Sequence, residues 1–275
     1  MPELPEVETI RLALRHGSGQ APALPGQRIE RVRLGWPRHV AAPSPAALRK
    51  RIRGQVVQDV QRRGKYLVLP LTRDTLLIHL MMSGDLGMLR AGEPLRPHDH
   101  TVFSLGSGWE LRFNDPRKFG KVMLLERPEE ILAGLGPEPL SERFTRAVLA
   151  ERLAGRASRL KPLLMDQSFL AGLGNIYADE ALHRARLHPL RRSANLHAGE
   201  VAALWRGIRG ALRSGLRHNG ASIDWVYRGG DFQNHFRAYG RTGEPCPVCG
   251  TPIQRIVVGQ RSTHFCPGCQ PESTA

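Results

Sequence analysis

The sequence predicts an α+β protein of two domains: an antiparallel β-sandwich led by one helix, then a helical domain that closes on a cysteine-rich β-hairpin. Three observations carry this prediction. Beyond a first helix period-two patterning takes over, as in Trp109 to Asn114, and the runs Tyr66 to Leu71 and Thr75 to Leu80 also look like strands. The stretch Gly134-Leu135-Gly136-Pro137-Glu138-Pro139 breaks every periodicity. Beyond it apolar residues recur at helical spacing, and from about Arg241 cysteine, proline and glycine become dense. The expected division is a sandwich over residues 1–133, a hinge over 134–140, a helical domain over 141–240 and a cysteine module over 241–271. At 275 residues the chain is long enough for two cores.

Each element has a local cause. Pro5 suits a first helical turn, Glu6 and Glu8 complement the positive helix end, Val7, Ile10 and Leu14 form one stripe, and Gly17 ends it. In the hairpin after Gly106-Ser107-Gly108, Trp109, Leu111 and Phe113 alternate with Glu110, Arg112 and Asn114, so one face is expected to be buried and the other solvated. Several strands with short turns and no helices between them favour antiparallel sheets packed as a sandwich. Val201, Leu204, Trp205, Ile208, Leu212 and Leu216 keep helical spacing, while Arg206, Arg213 and Arg217 fall on the opposite face. Asn175 follows Gly172-Leu173-Gly174 and precedes the run Ile176 to Leu182, which reads as a helix N-cap beside an anion site.

Charge narrows the partner. Lys plus Arg number 40 against 25 Asp plus Glu, a formal charge of +15, which favours a polyanion such as nucleic acid over a neutral or acidic partner. Only five of the basic residues are lysines, so a lysine at a motif marks a place where a compact ammonium is wanted. No stretch approaches the roughly 18 apolar residues of a membrane span, and the acidic, proline-rich start is unlike a signal peptide. The expected location is the reducing cytoplasm of a bacterium, at the nucleoid through DNA. Disulfides are disfavoured there.

Cys246-Pro-Val-Cys249 and Cys266-Pro-Gly-Cys269 are two C-x2-C pairs with 16 residues between them, a spacing that closes a tetrahedral zinc site. Four cysteine ligands leave no position for water, so one structural zinc ion is expected, with no organic cofactor. Ile253 to Val258 and Thr263 to Cys266 read as strands around a turn at Gly259 to Ser262, which puts Arg261 at the hairpin tip.

The N-terminus offers chemistry as well as a helix start. Once Met1 is removed, Pro2 presents a secondary amine whose ordinary pKa near 8 leaves a neutral fraction at physiological pH. Such an amine can attack a sugar C1′ and persist as an iminium, the electron sink needed to break a 3′ phosphate bond. Glu3 lies beside it as a proton donor and acceptor.

At this point the chain resembles a known family, the bacterial formamidopyrimidine-DNA glycosylases. The resemblance covers essentially the whole chain. It rests on Pro2 to Glu8, Gln61-Arg62-Arg63-Gly64-Lys65-Tyr66-Leu67, Asp115-Pro116-Arg117-Lys118-Phe119-Gly120, Gly174-Asn175-Ile176-Tyr177-Ala178 and the cysteine module, five motifs in order. It implies a helix-two-turn-helix fold for the C-terminal domain and DNA in the cleft between the domains. The implied activity is excision of oxidised purines, 8-oxoguanine and formamidopyrimidines, followed by nicking of the abasic site through β,δ-elimination. The implied partner is double-stranded DNA containing oxidised bases, bound by a monomer.

Residue by residue, the resemblance implies Pro2 as nucleophile, Glu3 as general acid and base, and Lys65 and Arg261 as catalytic-site, phosphate-binding cations, with Glu6 in support. It puts His79, His98, Asn175 and Lys161 on the DNA; by itself, His79 reads as a packed strand histidine. A base taken out of the stack must be replaced by a wedge or cost a few kcal/mol of unstacking. Met82, Arg117 and Phe119 are the implied wedge, Arg117 facing the orphaned cytosine, with Met81 competing with Met82 for the stack. Gly84 and Gly120 suggest that these side chains stand on exposed turns. Residues 220–234 correspond to a mobile lesion-capping loop. Three other readings stay open: an endonuclease VIII-like glycosylase for oxidised pyrimidines, a non-catalytic zinc-containing DNA-binding protein, and a basic ribosome-associated protein.

Overall fold

The computed structural model describes residues 1–222 and 229–272. The chain forms two compact units. Met1–Gly134 and the described part of Ala221–Gly230 make the first, and Leu135–Gly220 with the described residues from Asp231 onward make the second.

The first unit opens with α1 (Leu4–His16), whose N-cap is Glu3 and whose end is set by Gly17 at φ 84. Strands β1 (Ile29–Leu34) and β2 (Val40–Ala42) follow, then α2 (Pro45–Ile52). Seven strands come next: β3 (Gln61–Arg63), β4 (Tyr66–Pro70), β5 (Thr75–His79), β6 (Asp85–Arg90), β7 (Asp99–Leu105), β8 (Trp109–Asn114) and β9 (Lys121–Leu125). They form a four-stranded sheet in the order β1-β7-β8-β6 and a five-stranded sheet in the order β2-β9-β5-β4-β3. Alternation sorts their side chains. Leu76 and Ile78 of β5 join the main core with Val7, Ile10 and Leu14 of α1 and Phe103 and Phe113 of the other sheet. Leu77 points the other way, to a small cluster with Val68 and Met123 that Leu132 of α3 (Glu129–Leu132) helps to cover.

Two expectations for this unit need correction. The strands are not uninterrupted, since α2 intervenes, and β2 pairs with β9 in parallel. The polar face of β8 is not solvated either. Arg112 is 1% exposed, bonded to Glu110 and to the carbonyls of Pro94 and Glu93, and 3.6 Å from Asp99. A guanidinium has enough donors to be satisfied inside, which simple alternation does not reveal.

The second unit contains α4 (Arg146–Ala154), α5 (Leu160–Met165), α6 (Asn175–Ala185) and α7 (Ala198–Arg217). Glycine lets α6 and α7 meet closely. A Cβ on Gly207 would stand 2.5 Å from the carbonyl oxygen of Ala181, and one on Gly215 would stand 2.4 Å from the Tyr177 hydroxyl. Arg206, Arg213 and Arg217 are exposed, as the pattern requires, but Arg209 is buried and bonds the carbonyls of Pro139 and Ser141. Asn175 is the first residue of α6 and not its N-cap, which is Gly174 in an extended conformation.

The unit ends in the antiparallel hairpin β10 (Gln254–Val258) and β11 (Arg261–Phe265). Its turn is shorter than expected. Gly259 and Gln260 both have positive φ, the two-residue geometry that matches strand twist, so Arg261 opens β11 opposite Val258 and does not sit at the tip. Of the loop expected over 220–234, residues 223–228 lie outside the described residues.

Candidate active site and nucleic-acid contacts

In the first unit the site grows from the start of α1. Pro2 is buried, and Glu3 and Glu6 are each 2% exposed. The Glu3 backbone N–H donates to Glu6 Oε2 at 2.8 Å, and the Ala221 N–H donates to Glu6 Oε1 at 2.8 Å. One buried carboxylate thus fixes both the residue beside Pro2 and the first residue after Gly220. Both partners are donors, so the group must accept twice. Glu6→Gln turns one acceptor into an NH2 facing an N–H, and a loss of about 1–3 kcal/mol is expected. Thermal unfolding of the variant measures it; an unchanged midpoint would mean that Glu6 only decorates the helix.

Lys65 occupies the two-residue turn between β3 and β4 beside Gly64, whose φ is 56, and it is 5% exposed. The turn is tied to α1. Arg62 donates from Nε to Glu8 Oε2 at 2.9 Å and from Nη1 to the Gly64 carbonyl at 2.9 Å. Burial opposes ionisation of Glu8, but hydrogen bonds and charge from Arg11 and Arg62 outweigh it and hold the carboxyl below its ordinary range.

His79 pairs with Tyr66 across the sheet. Burial first, and the neighbouring Lys65 ammonium second, lower its pKa from 6.5 to about 4. Nδ1 accepts the Met81 N–H at 3.0 Å, so the ring is neutral with its proton on Nε2. A neutral donor releases no counterion when it meets a phosphate. The slope of log affinity against log salt, expected near −4 to −5 for about four to six phosphate contacts, is therefore unchanged in His79→Gln even if affinity falls. A slope about one unit shallower in the variant would show a charged imidazole. Because the unfolded histidine takes up a proton from pH 6.5 downward and the folded one only near 4, this group lowers stability as pH falls through that window.

The two loops bearing the implied wedge meet around Asp115. Its carboxylate accepts from the Ser83 hydroxyl and, at 2.7 Å, from the Gly120 N–H, while His39 Nε2 lies 3.3 Å away. Burial opposes the charge, yet these three partners hold the Asp115 carboxyl below its ordinary range. Ser83 Oγ also accepts the Arg117 N–H at 3.1 Å, and the Asp115 N–H bonds the His98 carbonyl at 3.0 Å. Met81, His98 and Lys118 all carry positive φ, backbone strain that this network overrides.

Phe119 is 46% exposed with the Arg117 guanidinium 5.0 Å from its ring centre, whereas Met81 and Met82 are half-buried. The glycines beside them are not exposed turns. Gly84 and Gly120 are buried because each lies against the Phe113 ring, where a Cβ would come within 2.6 Å and 2.3 Å respectively.

In the second unit the structure corrects the reading of Lys161 as a DNA contact. Its side chain is fully buried. The ammonium is bonded to Asp179 Oδ1 and, at 2.9 Å, to the Asn175 carbonyl. Asp179 Oδ2 accepts the His264 N–H at 3.0 Å and lies 3.2 Å from its Nδ1. One ion pair therefore fastens the start of α6, where Asn175 stands, to the strand that begins with exposed Arg261. Asn175 Oδ1 is buried with no hydrogen-bond partner among the described residues, a group in need of a ligand.

The four cysteines gather as the spacing requires. Their sulfurs all lie within 4.8 Å of one another, with Cys249 3.4 Å from both Cys266 and Cys269, and Cys246 3.9 Å from Cys269. A tetrahedral zinc with bonds of about 2.3 Å separates its sulfurs by roughly 3.8 Å, so the set fits that ion and leaves no open position. Backbone N–H groups of Val248 and Cys269 point at Cys246 and Cys266 sulfur. His183 Nε2 lies 3.3 Å from Cys246 Sγ; burial, with Arg237, Arg184, Arg241 and Arg186, lowers its pKa to about 4, leaving a neutral donor to a thiolate.

Sequence reasoning missed His39, Asp115, Asp179, His183 and His264. Asp115 and Asp179 stood inside or beside quoted motifs, and Asp179, four residues after Asn175 on a helix, could have been found as a carboxylate on a buried face. The histidines gave no signal.

A sandwich led by a proline-flanked helix, with a helical unit ending in a four-thiolate hairpin, defines a zinc-finger protein of the helix-two-turn-helix class. Residues 1–122 match the formamidopyrimidine-DNA glycosylase N-terminal domain, 135–226 the H2TH domain of the same enzymes, and 243–271 the zinc finger found in FPG and IleRS. The chain belongs to the formamidopyrimidine-DNA glycosylase family. A relative of that name from Herpetosiphon aurantiacus is 48% identical over 278 residues, covering 98% of this chain and 100% of its own. Another from Geobacillus kaustophilus is 44% identical, with the same coverage of 98% and 100%. Among solved structures, MutM in complex with DNA containing carbocyclic 8-oxo-G matches with TM-score 0.90 and 36% identity over 98% of this chain and 100% of that one. The Lactococcus lactis Fpg complex with abasic-site DNA matches with TM-score 0.90 and 35% identity over the same shares, 98% and 100%.

Proposed function

We propose that this chain removes oxidised purines from duplex DNA through the amine of Pro2 and then cuts the strand at the same site. As a family member it is a bifunctional glycosylase and abasic-site lyase of base-excision repair, with one structural zinc ion. The observation that carries the residue roles is the start of α1, where Pro2 and Glu3 are buried together and Glu6 holds the backbone of Glu3.

Freed of Met1, the Pro2 nitrogen attacks C1′, the bond from C1′ to the base breaks, and the base leaves with a proton. Glu3 supplies and recovers protons as the sugar ring opens to an iminium. Loss of a C2′ proton into that sink expels the 3′ phosphate, a second elimination expels the 5′ phosphate, and water releases the enzyme. Lys65 and Arg261 stabilise phosphate charge, His79, His98 and Asn175 hold the backbone, and Met82, Arg117 and Phe119 fill the vacated stack. The reading assigns 1–133 to catalysis, 134–140 to a hinge, 141–240 to DNA binding with the capping loop, and 241–271 to the finger. The enzyme acts as a monomer in the cytoplasm, at the nucleoid. No described helix is long and apolar enough to cross a membrane.

Borohydride trapping tests the mechanism. Reduction on a duplex with one 8-oxoguanine is expected to tether the protein through residue 2. Glu3→Gln should keep DNA affinity and lose base excision. An adduct on any lysine with Pro2 unmodified would overturn the assignment, and faster turnover of oxidised pyrimidines would favour the endonuclease VIII-like alternative.

A further inference from the structure

Three metal-ligating side chains from separated positions meet where α7 ends. His218 caps the helix, Asp231 precedes a short turn over Phe232–His235, and His235 closes it. His218 Nδ1 is 3.1 Å from Asp231 Oδ1, and His235 Nε2 is 3.7 Å from Asp231 Oδ2. All three donor groups have ligand atoms within 4.8 Å of one another. The two imidazoles stack with centres 3.6 Å apart, and each has a nitrogen near the Asp231 carboxylate. None of the three belongs to the four-thiolate cluster or is given a contact to DNA, although Asp231 lies within the loop expected over 220–234.

The backbone holds this arrangement in place. The Asp231 N–H donates to the His218 carbonyl at 3.0 Å, the Asn234 N–H to the Asp231 carbonyl at 3.0 Å, and the Phe232 N–H to the Gly220 carbonyl at 3.0 Å. Phe232 is fully buried and stacks on Tyr177 at 5.3 Å, which anchors the turn. A tetrahedral ion with ligands about 2.1 Å away separates its ligand atoms by roughly 3.4 Å. The separations of 3.1 Å to Asp231 Oδ1 and 3.7 Å to Asp231 Oδ2 are of that size, one imidazole to each carboxylate oxygen.

We propose that His218, Asp231 and His235 form a second, exchangeable site for a divalent transition-metal ion. Two imidazole nitrogens and a carboxylate oxygen suit zinc, nickel or copper, not magnesium or calcium, which prefer oxygen alone. Three protein ligands leave a coordination position to water, so this ion exchanges where the four-thiolate ion does not. Its place gives it a consequence. The chain passes out of the second compact unit after Gly220 and returns at Asp231, and the ion joins the helix end before that excursion to the turn after it.

Full-length protein carrying its finger zinc is dialysed against zinc chloride and its metal content measured. Two ions per chain are expected, falling to one in the His218→Ala/His235→Ala double variant, with Asp231→Asn intermediate or also at one. The two histidine side chains are 28% and 44% exposed, so folding survives, which retention of the first zinc verifies. Nickel is the second probe: untagged protein should be retained on immobilised nickel, and the double variant should not. One ion in the unaltered protein, or a second ion that persists in the double variant, overturns the site.

Discussion

Lys161→Met is expected to cost about 3–5 kcal/mol and to weaken DNA binding, although the ammonium it removes is fully buried. The loss comes from what remains. Asp179 would keep a buried charge with only the His264 N–H and ring to answer it. The double variant Lys161→Met/Asp179→Leu removes both charges and should recover part of the stability, because an apolar pair of similar volume replaces an ion pair at little net cost. It should not recover DNA affinity. Asn175 and Arg261 are held in register by the same ion pair, the Lys161 ammonium binding the Asn175 carbonyl and Asp179 accepting the His264 amide, and the double variant removes both bonds. Hydrogen exchange at the His264 amide reads the effect locally, and denaturant titration reads it globally. A single-variant loss under 1 kcal/mol would reduce Lys161 to an incidental pair.

Removing the finger metal should have the second large effect. The apolar cluster of the finger consists of Ala238, Cys246, Ile253 and Cys266 with Cys269 against it, so three of its five members are ligands and the apolar part of this core is small. Zinc binding in such modules contributes on the order of 10–16 kcal/mol, far more than these contacts. Cys249→Ser, or a strong chelator, is expected to abolish amide protection across β10 and β11 while the core around Phe103 and Phe113 stays protected. DNA affinity should fall roughly tenfold or more, since Arg261 loses its strand. Full zinc content with wild-type affinity in Cys249→Ser would refute the link between metal and grip.

Much of this was legible because it is local. The helix over Leu4–His16 follows from proline, acid and glycine at fixed offsets, and the strands from Tyr66 and Thr75 from short apolar runs, all within a few residues. The cysteine site was legible because its spacing is itself the geometry. Failures came where a distant partner decides. Lys161 looked like a phosphate ligand because its partner, Asp179, is 18 residues away on another helix. Arg112 looked solvated because its acceptors are backbone carbonyls of a loop about 20 residues earlier. Asn175 was misplaced by one position, since a glycine in extended conformation can occupy the cap and leave the amide to begin the helix.

The ring of Phe113 has a consequence for inheritance. It fills the space that a side chain at Gly84 or at Gly120 would need, and those glycines belong to the two loops that carry Met82 and Phe119. A methyl gained at either glycine is incompatible with the ring; a smaller residue at position 113 would relieve the clash at Gly120, whereas at Gly84 the Leu80 carbonyl oxygen would still stand 2.5 Å from the new Cβ. Positions 113 and 120 should therefore drift among descendants of this gene as one character, while Gly84 stays fixed by the Leu80 backbone whatever stands at 113, so a lineage that reshaped the Phe119 loop would first have had to shrink a residue that is not part of it.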